Sequence, residues 1–313
     1  MTIVQFEYIL AVDLHRHFAD AAAHCFVTQP TLSMQVRKLE DELGLKIFDR
    51  SKKPVIPTAA GKQIIVQAKR IVAEKNRIVE IVSEQKDTLS GELKIGIIPT
   101  LAPYLLPLFV HAFNRKYSHI KLIVQEMTTE ILVDRLRDGR IDVGILVTPL
   151  REKGIREEVL FYEELMAYVS EKNSIYKKEY VLAREIDPNK LWLLEEGHCF
   201  RSQIVNLCEL FKASRKGSHF DYEAGSFETL RRMVDLHDGV TILPELATME
   251  FTTNQRKLIR RFRSPAPTRE VSIAIHRDFV KKRLIEVLKL EILLTLPTKL
   301  RQNKDLHVLP FDR

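Results

Sequence analysis

The groups in this sequence with most chemistry to offer are its three thiols, Cys25, Cys199 and Cys208. A thiol attacks or binds a metal only as thiolate, so its neighbours decide its reactivity. His198 precedes Cys199 and Arg201 follows it, and both can supply positive charge or hydrogen bonds. Taken singly, each cysteine also reads as a small buried apolar residue, and Cys25, beside Ala21 and Ala22, has that character most plainly. Two hydroxyls stand at comparable places. Thr100 and Thr129 each fall where a strand pattern gives way to a helix pattern, as His198-Cys199 does after Leu191-Trp192-Leu193-Leu194-Glu195. In open parallel sheets such junctions line the ligand crevice, so three separate segments can converge on one small polar pocket. Spacing alone equally fits the two threonines as helix caps.

Other chemistries find no support. No cluster has metal-ligand spacing, no glycine pattern cradles a phosphate, no nucleophile elbow surrounds a serine, and no C-x-x-C is present. No metal and no cofactor is expected, and an enzyme is disfavoured. Three cysteines cannot frame a secreted scaffold, and in a reducing compartment any disulfide is transient rather than structural.

The elements that position these groups follow from periodicity. Residues 3–43 read as three short helices. The first carries Phe6, Ile9, Leu10 and Leu14 on one stripe; the third opens at Thr28-Gln29-Pro30 and buries Leu32, Val36, Leu39 and Leu43. That stripe leaves Pro30, Ser33, Met34 and Arg37 facing outward, flanked by Gln29, Thr31 and Gln35. Gly44 stops the helix, and two short apolar runs around a basic turn follow, a wing that offers Arg50, Lys52 and Lys53 to phosphates. A long amphipathic helix from Thr58 to about Leu89 carries Ile64, Ala68, Ile71, Ile78 and Val82, flanked by Ile65, Val72 and Val79, a face that suits a second copy of the chain. From Ser90-Gly91 onward strands alternate with helices, which implies largely parallel sheets covered by helices in two lobes. The expected fold class is α+β multidomain. A winged helix-turn-helix spans 1–58 and a linker or dimerisation helix 59–90. An effector domain spans 91–313, with lobe I at about 91–160 plus 268–296, lobe II at about 161–267, and a tail at 297–313.

Charge is a weaker guide. The chain carries +7 overall, but residues 1–90 hold 13 Lys and Arg against 11 Asp and Glu, a surplus of only two. Placement on one helix face and the wing matters more than the total. With no basic, apolar leader and no run near the ~20 apolar residues of a membrane span, a soluble cytoplasmic protein without membrane contact is expected.

The segment FADAAAHCFVTQPTLSMQVRKLEDELGLKIFDRSKKPVIPTAAG resembles the DNA-binding signature of the LysR-type transcriptional regulators. The match runs without a gap through Ala21-Ala22, Thr28-Gln29-Pro30, Ser33, Leu39-Glu40, Leu43-Gly44, Phe48-x-Arg50 and Thr58-x-x-Gly61. It implies promoter DNA as partner, a linker helix, and a two-lobed effector domain like a periplasmic binding protein. It also implies a homodimer that assembles into a homotetramer, and contact with RNA polymerase. Residues 193–208, LLEEGHCFRSQIVNLC, are further similar to the redox segment of the family's peroxide-sensing members, as are 98–100, 104–107 and 219–234. Leu236-His237-Asp238-Gly239 departs from those members in being bulkier and more charged than their glycine-rich turn.

That narrower resemblance assigns hydrogen peroxide as the oxidant, Cys199 as the peroxidatic thiol and Cys208 as the resolving thiol, with Thr100, Thr129, His198 and Arg201 around the pocket. Under this reading a helix over 200–208 keeps the thiols about 13 Å apart on opposite faces. A disulfide needs Cα atoms within about 7 Å, so closing it must unwind the helix. Phe200, Ile204 and Leu207 form the stripe by which that helix docks. Two other readings stay open: a metabolite-responsive regulator of the same family with incidental cysteines, and a thiol peroxidase.

Overall fold

In the computed structural model of the chain, the described residues are 1–84, 89–195, 199–208, 224–277, 279, 281–301 and 307–309. They form two units, Met1–Thr88 and Leu89–Arg313.

The first unit is built on helix ends that the sequence specifies locally. Helix α1 (Ile3–His15) starts from a reciprocal cap: Thr2 Oγ1 accepts from the Gln5 amide while Gln5 Oε1 accepts from the Thr2 amide. Its buried face is carried by Ile9, Ala11 and Val12, and Leu14, expected on the apolar stripe, is exposed. Helix α2 (Phe18–His24) leads into α3 (Gln29–Leu43), capped by Thr28, with Pro30 in the first turn and a left-handed Gly44 (φ 68°) at the end. Strands β1 (Phe48–Asp49) and β2 (Ile56–Pro57) pair antiparallel as the wing.

Helix α4 (Ala59–Glu84) then begins against the wing's root, which explains the Thr58-x-x-Gly61 pattern. Thr58 donates to the Lys46 carbonyl and accepts from the Gly61 amide, and a Cβ on Gly61 would lie 2.0 Å from the Ile47 carbonyl oxygen. Ile65 and Ala68 sink into the helix-turn-helix core, whereas Ile71 and Ile78, seven residues apart, are exposed.

The second unit comprises β3 (Gly91–Ile97), α5 (Ala102–Lys116), β4 (Ile120–Glu126), α6 (Thr129–Arg137), β5 (Val143–Thr148) and β6 (Ile155–Val169). It continues with β7 (Tyr180–Val181), β8 (Leu191–Trp192), α7 (Cys199–Leu207), α8 (Phe227–Leu236), β9 (Val240–Pro244) and α9 (Thr253–Arg256). Strands β10 (Ile259–Phe262) and β11 (Pro267–His276), α10 (Lys282–Thr295) and β12 (His307–Val308) complete it. The strand expected over 191–195 is shorter, ending at Trp192 with a lone bridge from Leu194 to Ala224.

The sheet is mixed rather than largely parallel. Its main path is β4-β3-β5-β11-β6-β10-β7, with β9 also on β6, β8 on β9 and β12 on β11. β4, β3 and β5 run parallel, but β11 pairs antiparallel with both β5 and β6. The long strands β6 and β11 account for the difference: each passes from one buried cluster to the other, one going out and one coming back. One cluster gathers Leu93, Ile95, Phe109, Ile145 and Leu288, the other Leu165, Tyr168, Phe200, Leu230 and Ile242. The tail joins both, with Leu300 buried in the first cluster and Leu309 in the second.

Candidate redox site and nucleic-acid interface

On α3 the face expected to meet DNA divides into free and committed side chains. Gln29, Pro30, Thr31, Met34 and Arg37 are exposed, as are Lys52 and Lys53 on the wing. Gln35 is half-buried and accepts from Gln5 Nε2 at 3.3 Å, which turns its amide toward α1. Ser33 accepts from Arg50 Nη1 at 3.0 Å, and the Arg50 guanidinium lies over the Phe18 ring and reaches Glu40 at 3.4 Å. Glu40 is buried and also accepts from the Ile47 and Phe48 amides. Arg50 and Glu40 thus lock the wing to the reader helix, a task that periodicity did not foreshadow.

Around the thiols, α7 runs from Cys199 to Leu207 and the Cys208 amide continues its pattern by donating to the Ile204 carbonyl. A rise of 1.5 Å per residue separates the two Cα atoms by about 13 Å. Phe200 and Ile204 are buried and Leu207 is half-buried, so the expected docking stripe is present. Cys208 packs against the second cluster, and burial pushes its thiol up to about 12. The Cys25 thiol is also raised, by burial and then by Glu7. The Cys199 side chain, His198 and His219 lie outside the described residues.

Thr100 and Thr129 follow adjacent parallel strands at the same sheet edge, where the Met127 amide donates to the Ile97 carbonyl. Neither caps a helix: Leu101 and Thr128 hold the cap positions, and neither side chain makes a capping bond. Thr129 is buried, and its hydroxyl has no partner among the described residues. Thr100 is engaged by Arg269, which donates from Nη1 to its hydroxyl (3.3 Å) and from Nη2 to its carbonyl (3.2 Å). Arg201 donates to the Leu194 carbonyl at 2.6 Å, fastening the first turn of α7 to the end of the preceding strand.

Two residues that sequence reasoning passed over are central here. Arg269 is fully buried, donates from Nε to the equally buried Glu163 at 2.7 Å, and sits 5.4 Å from the Phe200 ring centroid. Glu163 and Arg269 are paired across β6 and β11. Gln203 is fully buried on α7, one turn below Cys199 on the same face, and neither amide atom has a partner among the described residues. A cavity of about 220 Å³ is lined by Thr100, Tyr104, Leu194, Ser226, Phe227 and Glu228. Burial, with Glu228 adding to it, pushes the Tyr104 hydroxyl up to about 12, so it is a neutral donor there. The bulky 236–239 turn is anchored at Asp238, which receives Lys190 (2.6 Å) and Asn173 (3.1 Å).

Residues 3–62 match the family model described as bacterial regulatory helix-turn-helix protein, lysR family, and residues 86–292 match the LysR substrate binding domain. The chain is 34% identical over 273 residues to a hydrogen peroxide-inducible genes activator of Haemophilus influenzae, covering 87% of this chain and 90% of the relative. It is 38% identical over 248 residues to the DNA-binding transcriptional dual regulator OxyR of Escherichia coli, covering 79% and 80% respectively. A full-length OxyR structure from Pseudomonas aeruginosa, carrying a cysteine-to-aspartate change, superposes with TM-score 0.78 at 35% identity over 94% of this chain and 98% of that one. Among the described residues no helix is long and apolar enough to cross a membrane.

Proposed function

The chain belongs to the LysR family of bacterial regulatory helix-turn-helix proteins, and we propose that it regulates promoters in response to hydrogen peroxide. The observation that carries this reading is α7, a short helix that opens at one cysteine, ends beside another, and holds the second as a half-buried, protonated thiol. The Haemophilus influenzae relative is named as an activator of hydrogen peroxide-inducible genes, which supports it.

In the proposed cycle the Cys199 thiolate attacks one oxygen of peroxide. The O–O bond breaks, sulfenic acid forms, and the departing hydroxide takes a proton to become water. Arg269 beside the first turn of α7, together with the helix's N-terminal amides, favours the thiolate. The Thr129 hydroxyl and Gln203 amide, without partners among the described residues, can hydrogen-bond a small polar oxidant or the water it yields. Cys208 then attacks the sulfenic sulfur, its proton leaves with the second hydroxyl as water, and the disulfide closes. While α7 is intact, Cys208 is both about 13 Å away and protonated, so unwinding gates this second step. Unwinding costs about 1.5–3 kcal/mol for each of Phe200 and Ile204 that becomes fully exposed, while hydrating the Gln203 amide offsets about 1–3 kcal/mol.

DNA contact falls to Gln29, Pro30, Thr31 and Arg37 on α3 and to Lys52 and Lys53 on the wing. Ile71 and Ile78 on α4 suit pairing with a second copy, with tetramer assembly and polymerase contact as the regulatory output. The test couples a thiol count to a promoter gel shift before and after one equivalent of hydrogen peroxide. Loss of two thiols with a changed footprint is expected, and retention of both Cys199 and Cys208 as free thiols overturns the reading.

A further inference from the structure

The turn between α2 and α3 contains a residue that folding alone would not choose. Phe26 is 95% exposed, and its backbone is left-handed (φ 55°). The turn is a Schellman closure of α2, with the Phe26 amide donating to Ala23 (3.2 Å) and the Val27 amide to Ala22 (3.0 Å). Glycine is the default at this position because any Cβ there crowds the next carbonyl, at about 1–2 kcal/mol. The same unit does use glycine in left-handed backbone at the end of α3, Gly44. At residue 26 the chain therefore carries backbone strain and exposes a whole aromatic ring, with no packing in return.

Met34 is the second oddity. It is 61% exposed in the middle of α3, four residues after Pro30 and three before Arg37, on the face those residues share. Phe26 stands two residues before the Thr28 cap, at the end of α3 from which a reader helix contacts base edges. The surroundings are cationic, with Arg37 on the same face and exposed Lys52 and Lys53 on the wing, which suits a polyanion that also displays apolar groups. In the DNA major groove the one apolar group is the thymine 5-methyl.

We propose that Met34 and Phe26 read thymine methyls in the operator, so that part of this protein's sequence preference comes from apolar contacts beside the polar ones. The inference rests on α3 being the DNA reader. Full-length reduced protein is used to select a duplex from a randomised pool, and that duplex is resynthesised with deoxyuridine replacing each thymine in turn. Uridine at one or two thymines per half-site should weaken binding about fourfold each, as loss of one buried methyl implies. Met34→Ala and Phe26→Gly should bind the thymine duplex correspondingly weakly and no longer distinguish thymine from uracil at their own positions. Phe26→Gly should melt no earlier than the parent, since glycine relieves the left-handed strain. Equal affinity for the fully uridine-substituted duplex, variants that keep full discrimination, or an earlier-melting Phe26→Gly each overturn the proposal while leaving the reader intact. Failure to select any duplex overturns both.

Discussion

Glu40 and Gln203 are both buried polar residues on helices, and the molecule treats them in opposite ways. Glu40 accepts from two backbone amides and meets Arg50, so every element touching it is tied to another. Gln203 has neither of its amide atoms satisfied among the described residues, although burying such a group unpaired costs about 1–3 kcal/mol. The first arrangement stiffens a surface that must present one shape to DNA. The second leaves a helix of nine residues poorly rewarded for staying folded, in the segment that bears both thiols of the proposed switch.

The changes that sharpen this contrast differ in size. Cys199→Ser should abolish the peroxide response altogether, measured as unchanged thiol count and unchanged DNA footprint, with stability unaltered. Arg269→Met should cost the sensor unit about 3–5 kcal/mol in denaturant titration, because Glu163 is left buried without its cation. The same variant should react with peroxide at least tenfold more slowly in a stopped-flow assay. Glu40→Ala should destabilise the reader by about 2–4 kcal/mol, through two stranded amides, and leave the peroxide rate untouched.

Smaller effects fall on α7 itself. Gln203→Leu should raise the stability of the reduced sensor by about 1–2 kcal/mol while slowing disulfide formation. Equal or faster closure in that variant would break the comparison. For pH, the Cys208 thiol is protonated up to about 12 in the folded state against 9.0 for an ordinary thiol. The unfolded chain therefore sheds this proton first as pH rises, and stability declines between those two values. Thermal melts across that window should show the decline, and Cys208→Ser should lessen it, the raised Cys25 and Tyr104 groups supplying part of the remainder.

What was legible in the sequence tracks how local each determinant is. Thr28, Pro30 and Gly44 act on their own helix, so the reader helix is legible from spacing, whereas Thr58-x-x-Gly61, which braces α4 against Lys46 and Ile47, is legible only through the family resemblance. The α7 stripe of Phe200 and Ile204 was equally visible. Gln203 lies on the same stripe, three residues after Phe200, and a polar residue at that spacing was the available signal for it. Arg269 was not legible, because its partners Glu163 and Thr100 are 106 and 169 residues away and meet it only once β6 and β11 pair antiparallel. Gln35 and Arg50 occupy helix and wing positions that suit DNA contact, and long-range contacts with Gln5 and Glu40 give them further work inside the domain. The tail has no pattern in the sequence, yet its Leu300 is buried in the first cluster and its Leu309 in the second.

In the proposed switch α7 holds Cys199 and Cys208 apart and must unwind for them to join. Amide hydrogen exchange over residues 203–208, measured before and after one equivalent of hydrogen peroxide, tests it most directly. Protection should collapse on oxidation in the parent protein and persist in Cys208→Ser. Protection that survives formation of the disulfide would contradict the account.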